Sequence, residues 1–265
     1  MKLRRLSQRP ETCGAIALAL AAALGTLACT ASATDDALTI SAAASTQDAM
    51  QAIAAAYRAE APEVTITYNF GASGSLAQQI AQGAPVDVFL SASSQWMQVL
   101  EAQGRVGPSQ GLLQNSIVLA VPLTQAGVAS FADLITLDKV AIGEPESVPA
   151  GRYAKEVLTA LALWDDLTPR LVFGKSVRQV LAYVETGNVD AGLVYRTDLL
   201  VSKRVKAIAT APAESHSPIV YPVATVEEGR APEAAQDFVD FLFTDAAEDV
   251  FRTYGFEVVT TESRD

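Results

Sequence analysis

Cysteine is nearly missing from this chain. Its 265 residues hold two, Cys13 and Cys29, and both precede residue 34. If the segment ahead of Thr34 is removed, no thiol remains for disulfides, thiolate catalysis or metal ligation. Histidine is scarcer still. His216 stands alone, so a catalytic triad would have to recruit it, and no pair of residues matches a metal-ligand spacing. Basic residues are in deficit, with 19 against 30 acids and a net charge of −11. Without residues 1–33, which carry one acid (Glu11) and four bases (Lys2, Arg4, Arg5, Arg9), 29 acids face 15 bases and the net charge is −14. Such a chain is a poor partner for nucleic acid or an anionic membrane. Its longest apolar run, Ala15 to Ala28, falls short of the ~20 residues that span a bilayer.

What is present begins with an export pattern. A basic start, Met1-Lys2-Leu3-Arg4-Arg5, leads into that apolar run and then Ala31-Ser32-Ala33. This reads as a signal peptide over residues 1–33, cut after Ala33, and predicts a periplasmic mature protein. A competing reading makes Cys29 a lipidated first residue, but Thr26-Leu27-Ala28-Cys29 lacks a large aliphatic residue three places before the cysteine.

From Leu38 onward, short β-like runs alternate with amphipathic stretches. Strands are expected at 38–43, 64–70, 86–90, 116–121, 140–143, 171–173, 191–195, 205–209 and 219–226. Helices are expected at 46–59 (capped by Ser45), 76–82, a stretch that Ser93 or Ser94 caps, 151–164, 177–185 (capped by Ser176), 232–243 and 246–254. The alternation argues for an α/β fold of mostly parallel sheets flanked by helices. Two such sets, with extended runs near residues 116–121 and 219–226, suggest two lobes joined by crossing strands: residues 34–117 with 220–265, and residues 118–219. Ligands of open α/β sheets collect beyond the carboxyl ends of the strands, where helices begin. Ser45, Ser73, Ala150 and Val177 all occupy that position. A helix start leaves its first N–H groups unpaired and carries about half a positive charge, which suits an oxyanion. The pattern selects a location and leaves the ligand open.

Several segments resemble one family. "AAAS" at 42–45, "GAPVDVFLSA" at 83–92, "VPAGRYAKE" at 148–156, "GLVY" at 192–195 and "RTYGF" at 252–256 are similar, in this order, to the periplasmic molybdate-binding proteins of bacterial ABC transporters. The resemblance runs from about Leu38 to Phe256. It implies a two-lobed class II periplasmic binding protein whose inter-lobe cleft closes on a tetrahedral oxyanion, molybdate or tungstate. It also implies a permease as partner, no catalysis, no cofactor, and metal reached only through the anion's oxygens. A monomer is expected. Carried onto this sequence, the ligand set is the hydroxyls of Ser45 and Ser73, the backbone amides of Ala150 and Val177, and the hydroxyl of Tyr195. Ser75, in "FGASGSL", competes with Ser73.

Those groups suit the chemistry. Hydrogen bonds to a charged group contribute roughly 1.5–3 kcal/mol each, so five to eight could exceed the ~12 kcal/mol of a nanomolar complex, before desolvation and closure subtract their share. A site made only of donors rejects a protonated oxyanion, whose O–H would find no acceptor. Arg152, Lys155 and Arg178 either assist electrostatically or lie on a solvated helix face. Asp87 is expected to fix a turn or a helix start, Trp96 and Trp164 to pack, and His216 to make a surface or hinge contact. Two other readings stay open. One is a receptor for sulfate or another anion, although a carboxylate receptor should show an arginine clamp. The other is a serine hydrolase at "GASGS", which lacks the G-x-S-x-G elbow.

Overall fold

The computed structural model describes residues 37–259. The signal peptide expected over residues 1–33, with Cys13, Cys29 and cleavage after Ala33, lies outside the described residues. The chain runs β1 (Ala37–Ala43), α1 (Gln47–Tyr57), β2 (Thr65–Gly71), α2 (Ser73–Ala81), β3 (Val88–Leu90), α3 (Ser94–Ala102), β4 (Gln110–Gln114) and β5 (Ile117–Pro122). It continues through β6 (Val140–Gly143), α4 (Pro149–Ala160), α5 (Trp164–Leu167), β7 (Leu171–Gly174), α6 (Val177–Glu185), β8 (Ala191–Tyr195), α7 (Arg196–Leu200) and β9 (Val205–Thr210). It closes with β10 (Val220–Thr225), α8 (Pro232–Phe241), α9 (Asp245–Thr253) and β11 (Glu257–Val258).

Two sheets organise two lobes. The first has strand order β11-β4-β10-β3-β1-β2, the second β7-β6-β8-β5-β9. The sheets are mixed rather than mostly parallel. β1 runs parallel to β2 and β3, and β6 parallel to β7 and β8, while β10 and β5 are antiparallel to both of their neighbours. The reason is connectivity. Parallel neighbours need a crossover helix between them, which α1, α2, α4 and α6 supply, whereas β5 and β10 enter their sheets from the other lobe. The crossings fall at Asn115–Ser116, between β4 and β5, and at residues 211–219, between β9 and β10.

Burial follows sequence pattern. β8 (AGLVY) and β6 (VAIG) are buried at every position, as expected of central strands covered on both faces. β2 alternates at the edge, with Thr65 and Thr67 exposed. α6 buries Val177, Val180, Leu181 and Val184, an i, i+3, i+4, i+7 stripe in which each side chain contributes roughly 1.5–3 kcal/mol. α8 completes the first lobe: Phe238 and Phe241 pack on Tyr57 of α1 with ring centroids 5.1 and 5.0 Å apart. Trp96 and Trp164 are partly buried against the two hydrophobic clusters. Asp87 is a buried tie. Its carboxylate accepts from the N–H groups of Thr39 (2.7 Å), Arg230 (2.6 Å) and Ala231 (3.2 Å), pinning β1 to the start of α8.

The helix expected over 151–164 differs. α4 starts earlier, with Pro149 in the first turn where its missing N–H is harmless. It stops at Ala160 because Ala162 takes φ 56°, leaving Trp164 in α5. Among the described residues, no helix is long and apolar enough to cross a membrane.

Candidate functional site

Four strand-to-helix junctions converge on one cavity of about 210 Å³ including its mouth. After β1 the chain makes a short 3-10 turn, Ala44–Thr46, before α1. Ser45 sits inside that turn and does not cap α1 as expected, because the turn itself leads into the helix and no side-chain cap bond is made. Its hydroxyl lies instead 3.0 Å from the hydroxyl of Tyr221. After β2, Ser73 opens α2 and is fully buried; its Oγ accepts from the Ala92 N–H at 2.9 Å. Ser75 is half-buried and does not line the cavity.

From the second lobe come Val148, Pro149 and Ala150 at the start of α4 and Val177 at the start of α6. The first backbone bonds of α4 run from Gly151 and Arg152 to the Val148 carbonyl, and those of α6 from Gln179 and Val180 to Ser176. The amides of Ala150 and Val177 precede them. Ser176 caps α6 as its sequence predicts, accepting from the Gln179 N–H. Gly151 has a packing reason: a Cβ there would fall 2.0 Å from the Gly143 carbonyl oxygen, so α4 rests directly on the end of β6.

Tyr195, at the end of β8, also lines the cavity. Its hydroxyl is buried and makes no well-formed hydrogen bond among the described residues. Burial first, then the neighbouring charges of Tyr221, Tyr153 and Asp198 and a loose contact with the Tyr221 hydroxyl, push its pKa well up, so the phenol stays a neutral donor. The cavity is therefore lined by all five residues singled out in the sequence. It also takes in Ala43, Ala44, Gly71, Ala72 and Ala92. Among its described lining residues none carries a formal charge.

Charge stands outside that lining. Arg178 of α6 reaches Asp198 of its own lobe (2.8 Å), Asp48 of α1 (2.8 Å) and the Ser45 carbonyl (3.2 Å). It thus ties the second lobe to the first, a role its neighbours in sequence gave no sign of. Arg152 pairs with Glu156 at 3.0 Å, lies over the Tyr153 ring and comes within 3.5 Å of Ser93 Oγ. Lys155 lies over the Trp164 ring. His216 packs against Tyr153 and is absent from the cavity lining, so Ser73 has no histidine beside it there. Among the described residues, no group of three His, Cys, Asp or Glu could hold a metal ion. Sequence reasoning missed Asn115, Tyr221 and Ala92, which hold the two serines from behind. Ala92 alone left a trace, as the last residue of "GAPVDVFLSA".

A two-lobed α/β body with a small, uncharged, donor-lined cavity at the meeting of its strand ends is the architecture of a binding protein. Residues 38–257 match the family model described as "Bacterial extracellular solute-binding protein", and the chain belongs to that family, which is one of solute-binding proteins and not an enzyme class. The lipoprotein YvgL of Bacillus subtilis, whose name assigns it provisionally as an ABC transporter substrate-binding protein, is 49% identical over 222 residues, covering 83% of this chain and 85% of the relative. Molybdate-binding protein ModA of Haemophilus influenzae is 39% identical over 227 residues, covering 83% of this chain and 89% of the relative. The solved periplasmic molybdate-binding protein of Azotobacter vinelandii superposes with a TM-score of 0.76 at 24% identity, covering 84% of this chain and all of that one, a likeness of fold.

Proposed function

We propose that this chain captures molybdate, and tungstate alongside it, outside the cytoplasm and delivers it to the permease of an ABC transporter. In this reading residues 34–117 with 220–265 and residues 118–219 are lobes that close on the anion. The chain is exported by its N-terminal segment and works as a monomer without cofactor. One observation carries the reading: the buried Tyr195 hydroxyl has no partner in an uncharged cavity whose other polar groups are two serine hydroxyls and the first amides of α4 and α6. A buried polar group without a partner is costly, and an anion's oxygen relieves that cost. Such oxygens also accept from the serines and amides together. The named molybdate-binding relatives supply the choice among oxyanions.

A thermal-shift panel on the mature protein tests it, because a ligand bound only by the folded state raises stability by mass action. Molybdate and tungstate should raise Tm about equally, sulfate less, and hydrogen phosphate least, only at far higher concentration. Ala150→Ser should keep the molybdate shift, while Ala150→Pro, which deletes the amide proton, should lose most of it. Tight sulfate binding with no molybdate heat in calorimetry would falsify the assignment.

A further inference from the structure

The serines lining the cavity are each held from behind, and the direction of those bonds decides what they offer in front. A hydroxyl has one proton and two lone pairs. Ser73 is settled: the Ala92 N–H donates to its Oγ at 2.9 Å, and an amide nitrogen does not accept, so the Ser73 proton is left over. Ser45 depends on Tyr221, whose hydroxyl is 3.0 Å away in a contact either oxygen could donate. Asn115 breaks that symmetry. Its Oδ1 accepts from the Ser116 N–H at 2.9 Å, which fixes the amide plane and directs Nδ2 elsewhere. Nδ2 has two protons and nothing to accept with. It reaches Thr197 Oγ1 at 2.9 Å and Tyr221 Oη at 3.2 Å. Tyr221 thus accepts from Asn115 on one side and has its own proton to give; of the two hydroxyls beside it, Ser45 makes a well-formed bond at 3.0 Å and Tyr195 does not.

We propose that Asn115 and Tyr221 are specificity-determining positioning residues: Asn115 Nδ2 donates to Tyr221 Oη, Tyr221 donates to Ser45 Oγ, and the Ser45 proton is left facing the cavity. The inference rests on the oxyanion reading above and deepens it. With Ser45 and Ser73 both donating forward, neither serine turns its accepting side to the anion, and among the described lining residues Tyr195 holds the one hydroxyl whose direction nothing behind it sets. A dianion that still bears a proton, such as hydrogen phosphate, can then place its O–H only against Tyr195, at the expense of the bond Tyr195 would otherwise donate to it. Tyr221 suits the post. It is fully buried, and that burial pushes its pKa far up, so its proton stays in place. The relay begins at the first crossing between the sheets and draws on both lobes, since Thr197 belongs to α7 and Tyr221 to β10.

The test compares affinities for molybdate and hydrogen phosphate at mildly alkaline pH, where both ions are dianions. It uses the unmodified protein, Tyr221→Phe, Asn115→Asp and Tyr68→Phe. Tyr68 donates to the Met50 carbonyl at 2.7 Å and stands outside the relay, so its variant controls for losing a hydrogen-bonded, partly buried phenol hydroxyl. Asn115→Asp is nearly isosteric, and its carboxylate accepts where the amide donated, turning the Tyr221 proton away from Ser45. The added charge acts on both dianions alike and cancels in their ratio. The molybdate preference should fall about tenfold or more in Tyr221→Phe and in Asn115→Asp and stay unchanged in Tyr68→Phe. In a Ser45→Ala background the effect of Tyr221→Phe on the ratio should vanish, because the relay acts through that hydroxyl. An unchanged ratio in both relay variants, or hydrogen phosphate still too weak to measure in both, overturns the relay and leaves the oxyanion reading standing. An unmodified protein that binds no oxyanion overturns both.

Discussion

A phenol hydroxyl buried without a hydrogen bond costs a folded protein roughly 1–3 kcal/mol, and Tyr195 is in that position. Removing the hydroxyl should therefore separate stability from binding. Tyr195→Phe is expected to keep or raise the melting temperature of the unliganded protein while weakening molybdate about tenfold to a hundredfold. Melting curves and calorimetry on the same preparation check it, and a falling Tm with unchanged affinity would show a purely structural tyrosine. Tyr195 was legible because "GLVY" carries it on a recognisable local motif. Tyr221 was not. Its closeness to Ser45 comes from β10 lying beside β3, which lies beside β1, a pairing that bridges 176 positions and leaves no periodic mark. Asn115 was hidden for the same reason, since its meaning lies in which strands its neighbours join.

Elements were legible where periodicity and caps agreed. β6, β8 and α6 begin and end where the pattern places them, α6 because Ser176 marks its start and its apolar stripe marks its face. The short strands β4 and β11 escaped because five and two residues hold too little alternation to register. The end of α4 escaped because its stop is Ala162 at φ 56°, a conformation that glycine usually announces. The start of α4 is the element on which the site leans hardest. Gly151→Ala would push a Cβ into the Gly143 carbonyl, forcing α4 off the end of β6. Urea denaturation should show a loss of about 3 kcal/mol or more, with molybdate affinity falling as the Ala150 amide is displaced.

Across the whole molecule, the α/β class and its two-sheet plan were legible, whereas the antiparallel half of each sheet was not, since strands arriving from another lobe look like any other apolar run. The ties between lobes were equally hidden. Arg178 is one, spanning Asp198, Asp48 and the Ser45 carbonyl. Burial pushes the Asp198 carboxyl from 3.8 up to about 6, outweighing the opposing pull of Arg178 and the Tyr195 N–H. Between those values the folded protein holds a proton that the unfolded chain has released. Its stabilising share is thus full below about pH 4 and is lost as pH rises through about 6, by up to about 3 kcal/mol. Denaturation of the unmodified protein and of Asp198→Asn across that range should show the stability of the unmodified protein falling relative to the variant up to about pH 6 and running parallel to it beyond. A constant difference would place the carboxyl's titration elsewhere. The uncharged cavity, finally, bears on unloading. A receptor that held its anion with a buried arginine would be left with a stranded ion each time it gave the cargo up, and would resist doing so. Dipoles fixed in serines, amides and a phenol leave no such ion behind, so under the proposed function tight capture and ready surrender need not oppose each other.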